Sequence, residues 1–270
     1  MLKDTSLSTD TLLSQRNSLS AGLSYFVRGM GLLTQSGMKR YVLVPILANV
    51  AVFFVLTAML IQYFSSVTDW FNGLLSFWSW LAYLATFIAT LLSGVIFFTI
   101  LLIYGYSFNI ITNIIAAPFY GLLAEKIEAR LNGAVFPSES FSSMAARTLK
   151  REVVKLWYFT TRGIAVAIGL FLLAFIPFVN LSVPFLALLW GAWVMTLQYV
   201  DYPADNNKLA FTEVRQRLKK CSYSTTGLGS TIMLGSMIPV VNIFVMPIAV
   251  AAGTLYWDNE LRTTRSTSLP

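Results

Sequence analysis

The chain has no histidine and a single cysteine, Cys221. Without histidine it lacks the side chain that carries protons near neutral pH and most often binds metals. One cysteine rules out an intrachain disulfide and a cysteine metal cluster. Charge is scarce as well: Asp, Glu, Lys and Arg make up 11% of the 270 residues, against roughly 25% in soluble domains. What charge there is clumps. Residues 41–68, 70–124, 163–200 and 221–257 contain none, giving runs of 28, 55, 38 and 37 residues. A soluble core has no need of such runs, whereas a bilayer does, since a spanning helix takes about 20 apolar residues. The composition therefore predicts an integral membrane protein. Because the uncharged runs offer no acid, base or nucleophilic lysine, and no nucleotide-binding glycine loop occurs, it argues against an enzyme and predicts no cofactor and no metal site.

Residues 1–17 read as a polar tail without the apolar core of a signal peptide, so insertion is expected through the first span. Within 18–34, Leu19, Leu23, Phe26, Val27, Met30 and Leu33 recur near helical spacing. That pattern predicts an amphipathic helix lying on the membrane surface or packing on the bundle, although Gly22, Gly29 and Gly31 weaken the helical signal. A first span follows at 41–64. Asp69, Trp70, Trp78, Trp80 and Tyr83 then suggest an aromatic belt around a short turn. A long second helix, 80–131, would measure roughly 75 Å and extend beyond a hydrocarbon core of about 30 Å. Its charges, Glu125, Lys126, Glu128 and Arg130, fall only in its last part.

A charged segment occupies 132–162, helical from about Phe141. Two broken apolar segments come next, 163–200 and 221–257, separated by a polar link at 201–220. Ile176-Pro177-Phe178-Val179-Asn180 in the first parallels Ile238-Pro239-Val240-Val241-Asn242 in the second, a weak I-P-x-V-N repeat 62 residues apart. The arm before each break, Gly163–Ile176 or Gly227–Ile238, is too short for a full crossing. Each segment is therefore expected to enter the membrane and turn back. Basic residues number five before the first span, none in 65–79, seven in 125–162, five in 201–220 and two after 257, which accounts for all 19. By the positive-inside rule every basic segment lies in the cytoplasm, as hairpins require. The predicted fold is thus an all-α integral membrane protein, 1–270 as a single membrane domain. It has two long transmembrane helices, two re-entrant or partially inserted helical hairpins, an N-terminal amphipathic helix and cytoplasmic termini.

Two residue sets could serve a small solute. Broken hairpins mark candidate binding sites, and backbone groups freed at their tips must be buried in protein or line a wet cavity. Asn180 and Asn242 stand there. On the long helix Asn109 and Asn113 share a face at i, i+4, with Thr112 beside them. Equally, these asparagines could cap helices or join them. The second set is Ser36-Gly37-Met38-Lys39-Arg40, two cations at a helix start, where the dipole disfavours them by roughly 0.3–1 kcal/mol. Topology alone would put them there. A turn that frees backbone N–H groups beside an ammonium and a guanidinium is also an oxyanion site, for lipid phosphate or for a substrate. The run Arg215–Lys220 reads as an anchor to anionic membrane lipid; no recognition module points to nucleic acid.

Several stretches resemble the CysZ family of bacterial sulfate permeases: SGMKRYVLVPILANV (36–50), NIIAAPFYGLLAEKIE (113–128), LQYVDYPADNNKLAF (197–211) and IPVVNIFVMPIAVAAGTLYW (238–257). The likeness covers about residues 20–260. It implies import of the sulfate ion across the bacterial inner membrane for cysteine synthesis, without ATP, by a homo-oligomer. It further implies a sulfate site at a Gly-Leu-Arg-type motif matching Gly37, Met38, Lys39 and Arg40, with Met38 and Lys39 where Leu and Arg are more usual. A lysine there offers a point charge in place of a fork. The pathway expected from both readings runs past Asn109, Thr112, Asn113, Glu125, Asn180 and Asn242. The alternative from another class is a non-transporting structural or partner-binding membrane protein whose basic turn holds lipid phosphate.

Overall fold

The computed structural model describes residues 17–34, 39–76, 82–137 and 139–262. Eight α-helices occur among them: α1 (Leu19–Leu33), α2 (Lys39–Ser76), α3 (Ala82–Asn132), α4 (Phe141–Ala174), α5 (Val183–Asn206), α6 (Phe211–Lys220), α7 (Ser222–Ser236) and α8 (Pro239–Tyr256). No strand occurs among the described residues. Four of these helices, α2 to α5, contain stretches long and apolar enough to cross a membrane. The chain divides into two compact units, one formed by residues up to Ile46 with those from Ala117 onward, the other by Leu47–Ala116.

In the Leu47–Ala116 unit, aromatic and hydroxyl contacts join α2 to α3. Thr57 Oγ1 and Tyr104 Oη lie 2.9 Å apart, and Phe53 meets Phe108 edge-on with ring centroids 6.2 Å apart. The remaining surface is apolar: Phe54, Ile61, Phe87 and Val95 are all exposed. In water so large an apolar surface would be a liability; against lipid it costs nothing. Helix α2 runs on through Asp69 and Trp70, where the sequence suggests a turn. No proline interrupts 65–76, and a single Gly73 is too weak a breaker to stop a helix already propagating.

The larger unit is built around α5, α7 and α8, with α1 laid across the last two. The glycines of α1 make this packing possible. A Cβ on Gly29 would lie 2.7 Å from the Ala252 nitrogen, so only hydrogen there lets the helix axes approach. Tyr25, buried on the same face, meets Tyr256 edge-on at 5.5 Å. The expected amphipathic helix is therefore present, packed on the bundle through its small residues with its apolar side left outward. Gly22, Tyr25 and Gly29 face protein, while Leu19, Leu23, Val27 and Met30 are exposed. Small residues carry the α5–α7 contact too: Gly229 sits against the Ala192 carbonyl, and Thr196 donates to the Thr225 carbonyl at 2.6 Å. This is how apolar helices associate when lipid tails are as apolar as leucine. Polar caps close the ends. Ser18 accepts from the Ala21 N–H, and Asn17 Oδ1 accepts from the N–H groups of Tyr223 and Ser224, at 3.0 and 3.1 Å, at the start of α7.

The two I-P-x-V-N stretches form different turns. Phe175–Phe178 and a 3₁₀ turn, Val179–Ser182, separate α4 from α5; Phe178 is strongly exposed and adopts φ 65°. Only Met237 and Ile238 separate α7 from α8, with Pro239 as the first helical residue, the position proline suits best. The sequence repeat is thus a repeat of composition more than of conformation.

Candidate functional site

Lys39 and Arg40 are the first two residues of α2, so the cations stand at the positive end of a 38-residue helix, as the sequence requires. Gly37 and Met38, the other half of the expected oxyanion site, lie outside the described residues. The pathway residues fall in several places. Asn109, Thr112 and Asn113 occupy the part of α3 that belongs to the Leu47–Ala116 unit; Thr112 is buried and Asn113 half-buried. Asn180 is exposed in the 3₁₀ turn, and its N–H donates to the Ile176 carbonyl at 3.0 Å. Asn242 lies inside the first turn of α8 and not in the break, its N–H donating to the Ile238 carbonyl at 2.8 Å. The expectation of unpaired backbone groups at both tips is therefore corrected for these two amides. Pro239 starts the helix early enough to absorb Asn242.

Glu125 lines a cavity of about 620 Å³ together with Glu139, Ser140, Phe141, Asn206 and Lys208. Two carboxylates there would repel a dianion, an effect that Arg147 and Lys208 offset in part by pairing with Glu139. Glu139 is tied to Arg147 at 3.2 Å and accepts from the Ser143 hydroxyl at 3.0 Å. The Arg147 hydrogen bond is the main reason its carboxyl lies below the usual glutamate range.

The densest polar arrangement was not foreseen from the sequence. Arg147, Arg151 and Lys155 recur at i, i+4 and i+8 on α4, facing Asp201 and Asp205, which share a face of α5. Arg151 grips Asp201 with both ends of its fork, Nε to Oδ2 at 2.9 Å and Nη2 to Oδ1 at 2.6 Å. Arg147 pairs with Asp205. Lys155 is buried, paired with Glu152, 3.8 Å from Asp201 Oδ2 and 4.2 Å from the centre of the Tyr202 ring. Gln198 donates to Glu152 at 3.3 Å. Just beyond, the Asn206 amide donates to the Gly121 carbonyl at 2.8 Å, and Asn207 donates to both oxygens of Glu128, at 2.8 and 3.0 Å. Arg262 reaches the same carboxylate at 3.3 Å. Charges this deeply buried persist only when paired and hydrogen-bonded. The ladder fastens α4 to α5, and the asparagines fasten the last part of α3 to the end of α5. The signal in the sequence was the four-residue spacing of basic residues in one helix and of acids in another. What hid it was the sequence separation of some 50 residues between partners. No three acids or cysteines are grouped to hold a metal among the described residues.

Residues 25–247 match the family model described as "Sulfate transporter CysZ/Etoposide-induced protein 2.4". The chain belongs to the CysZ family. Relatives named "Sulfate transporter CysZ" include one from Pectobacterium atrosepticum, 36% identical over 255 residues, which are 92% of this chain and 88% of the relative. Another, from Pseudomonas syringae pv. tomato, is 38% identical over 88% of this chain and 92% of its own length. A third, from Salmonella typhimurium, is 37% identical over 88% and 91%. The CysZ match takes in the start of α2, the asparagine face of α3 and the whole ion-pair ladder. Membership in a transporter family also accounts for a membrane interior without catalytic side chains.

Proposed function

We propose that the chain is a sulfate permease of the bacterial inner membrane, importing sulfate for assimilation into cysteine. The observation that carries this reading is the match to proteins named sulfate transporters along nearly their full length. Two features of the chain support it. The apolar runs hold no ionisable side chain that would couple flux to protons, which favours a channel-like passage driven by the sulfate gradient. Sulfate is a tetrahedral dianion, and Lys39 and Arg40 at the start of a long helix offer the charge and fork that bind one. In this account sulfate docks at Gly37, Met38, Lys39 and Arg40. On this reading it then passes Asn109, Thr112 and Asn113, Asn180 in its 3₁₀ turn and Asn242 in the first turn of α8. A reading as a lipid-phosphate-binding structural protein has no such support among the relatives.

The topology that goes with this function has both termini in the cytoplasm and α2 and α3 as the through-going helices. Helix α4 as a whole is long enough to cross, but its uncharged part, residues 163–174, is about 18 Å long at 1.5 Å per residue, short of the roughly 30 Å hydrocarbon core. The α4–α5 hairpin therefore turns back inside the bilayer. The exposed apolar side chains of α2 and α3 meet lipid and neighbouring copies in a homo-oligomer.

Growth tests the proposal in cells. A bacterial strain deprived of its own sulfate uptake should grow on limiting sulfate when it makes the wild-type chain, and should not when it makes the K39A/R40A variant at equal membrane abundance. Both should grow alike on cysteine. Failure of the wild type on sulfate would overturn the function; growth of the variant would overturn the docking site.

A further inference from the structure

The basic run Arg215–Lys220 contains cations in two different situations. Arg217 is spoken for: it donates to the Leu261 carbonyl at 2.9 Å and to Glu213 at 2.5 Å. Arg215 is not. Its guanidinium lies 4.6 Å above the Tyr158 ring and 5.3 Å from the Phe211 ring. Its Nε is buried without a hydrogen-bond partner, and no carboxylate pairs with it among the described residues. The rings that hold it are themselves fixed. Tyr158 and Phe211 meet edge-on at 5.5 Å, the Tyr158 hydroxyl accepts from Trp193 Nε1 at 3.4 Å, and Arg151 also lies over the Phe211 ring at 5.2 Å. Two further cations nearby along the same helices have no ion-pair partner among the described residues. Arg162 is one helical turn beyond Tyr158 on α4, and Lys219 is one turn beyond Arg215 on α6. A guanidinium placed over aromatic rings is restrained there, and its terminal Nη donors, taken by no carboxylate among the described residues, are left for an anion.

Depth decides which anion. Arg162 is the last charge before the uncharged run 163–200, and the neighbouring Trp157 is strongly exposed. Aromatic side chains followed by cations, at the point where charge stops, mark the level of lipid headgroups. We propose that Arg215, clamped by Tyr158 and Phe211 and assisted by Arg162 and Lys219, binds the phosphate of a net-anionic phospholipid. The site rests on the membrane topology proposed above, not on the sulfate docking site.

Native mass spectrometry of the delipidated full chain, titrated with phosphatidylglycerol or phosphatidylcholine, tests it. Wild type should retain phosphatidylglycerol in preference to phosphatidylcholine. R215Q should weaken phosphatidylglycerol binding by about fivefold or more, the worth of one interfacial cation, and Y158L, which keeps the cation but removes the clamp, should weaken it as well. K220Q, on another face of α6, should stay within about twofold of wild type. Wild-type retention by R215Q or Y158L would overturn the proposal. So would an equal loss in K220Q, which would mean a diffuse surface potential. Displacement of the lipid by millimolar sodium sulfate would also overturn it, since the site would then be one for free oxyanions. Sulfate flux measured in parallel on R215Q keeps the two proposals separable: loss of the lipid with flux retained leaves the permease reading untouched.

Discussion

Asp201 is the point at which the ion-pair ladder can be broken most informatively. Its side chain is 1% exposed, and the Arg151 fork that grips it is 14% exposed, with Lys155 3.8 Å away. Changing Asp201 to Asn keeps the shape but leaves two buried cations facing a neutral amide. Removing one partner of a buried pair costs about 3–5 kcal/mol, mostly as the penalty of the charge left behind. Lys155 retains Glu152, so the loss should fall on Arg151 and lie in that range, lowering the unfolding temperature by on the order of 10 °C. The chain supplies its own reporter. Cys221 is half-buried, and that burial raises its thiol pKa, so a thiol-reactive fluorogenic dye should label it slowly when folded and fast on unfolding. Replacing both members, R151M with D201L, removes the stranded charge and should recover most of the loss, to within about 2 kcal/mol of wild type. D201N within about 1 kcal/mol of wild type, or a double variant no better than the single, would refute the argument that the ladder's value lies in mutual neutralisation.

Packing and titration give two further expectations. Gly229→Ala would drive a Cβ into the Ala192 carbonyl and to 2.7 Å from Thr196 Oγ1; since backbone cannot give way, α7 and α5 must part, at a cost of about 1–3 kcal/mol, whereas Gly169→Ala, with nothing within 4 Å, should be neutral or stabilising in the same thermal assay. Glu139 is held below the ordinary glutamate range by its hydrogen bond to Arg147, so its contribution is present above that range and disappears as pH falls through the lower folded value. Wild type should therefore exceed Glu139→Gln in stability at neutral pH, and the two melting curves should converge in acid; a gap that persists below the folded value would contradict the pairing.

The sequence made the helices legible because charge and apolarity segregate so sharply in it. A helix from about Phe141 and breaks near Pro177 and Pro239 can be read by eye from the charge pattern and the prolines, although α4 ends two residues earlier than expected, at Ala174. Less legible was anything that depends on two distant stretches meeting. Gly22 and Gly29 read as flaws in a helix until Ala252 and the start of α7 appear against them, which also turns the outer face of α1 into its apolar one. Asp201 and Asp205 read as the polar end of a hairpin; only the packing of α5 on α4 shows that they neutralise Arg147, Arg151 and Lys155. Asn180 and Asn242 look equivalent in a five-residue repeat, yet one lies in a 3₁₀ turn and the other inside a helix, because Pro239 begins α8 where Pro177 only bends the chain. The oxyanion site proposed at the start of α2 is read from a conflict of charge with dipole, and Lys39 and Arg40 are the first described residues of that helix.

Purified chain reconstituted into liposomes, with uptake of radiolabelled sulfate followed against empty vesicles, tests the central claim most directly. The account predicts uptake by wild type that needs neither ATP nor a proton or sodium gradient and that is lost in K39A/R40A. Wild-type vesicles that take up no more sulfate than empty ones would contradict it.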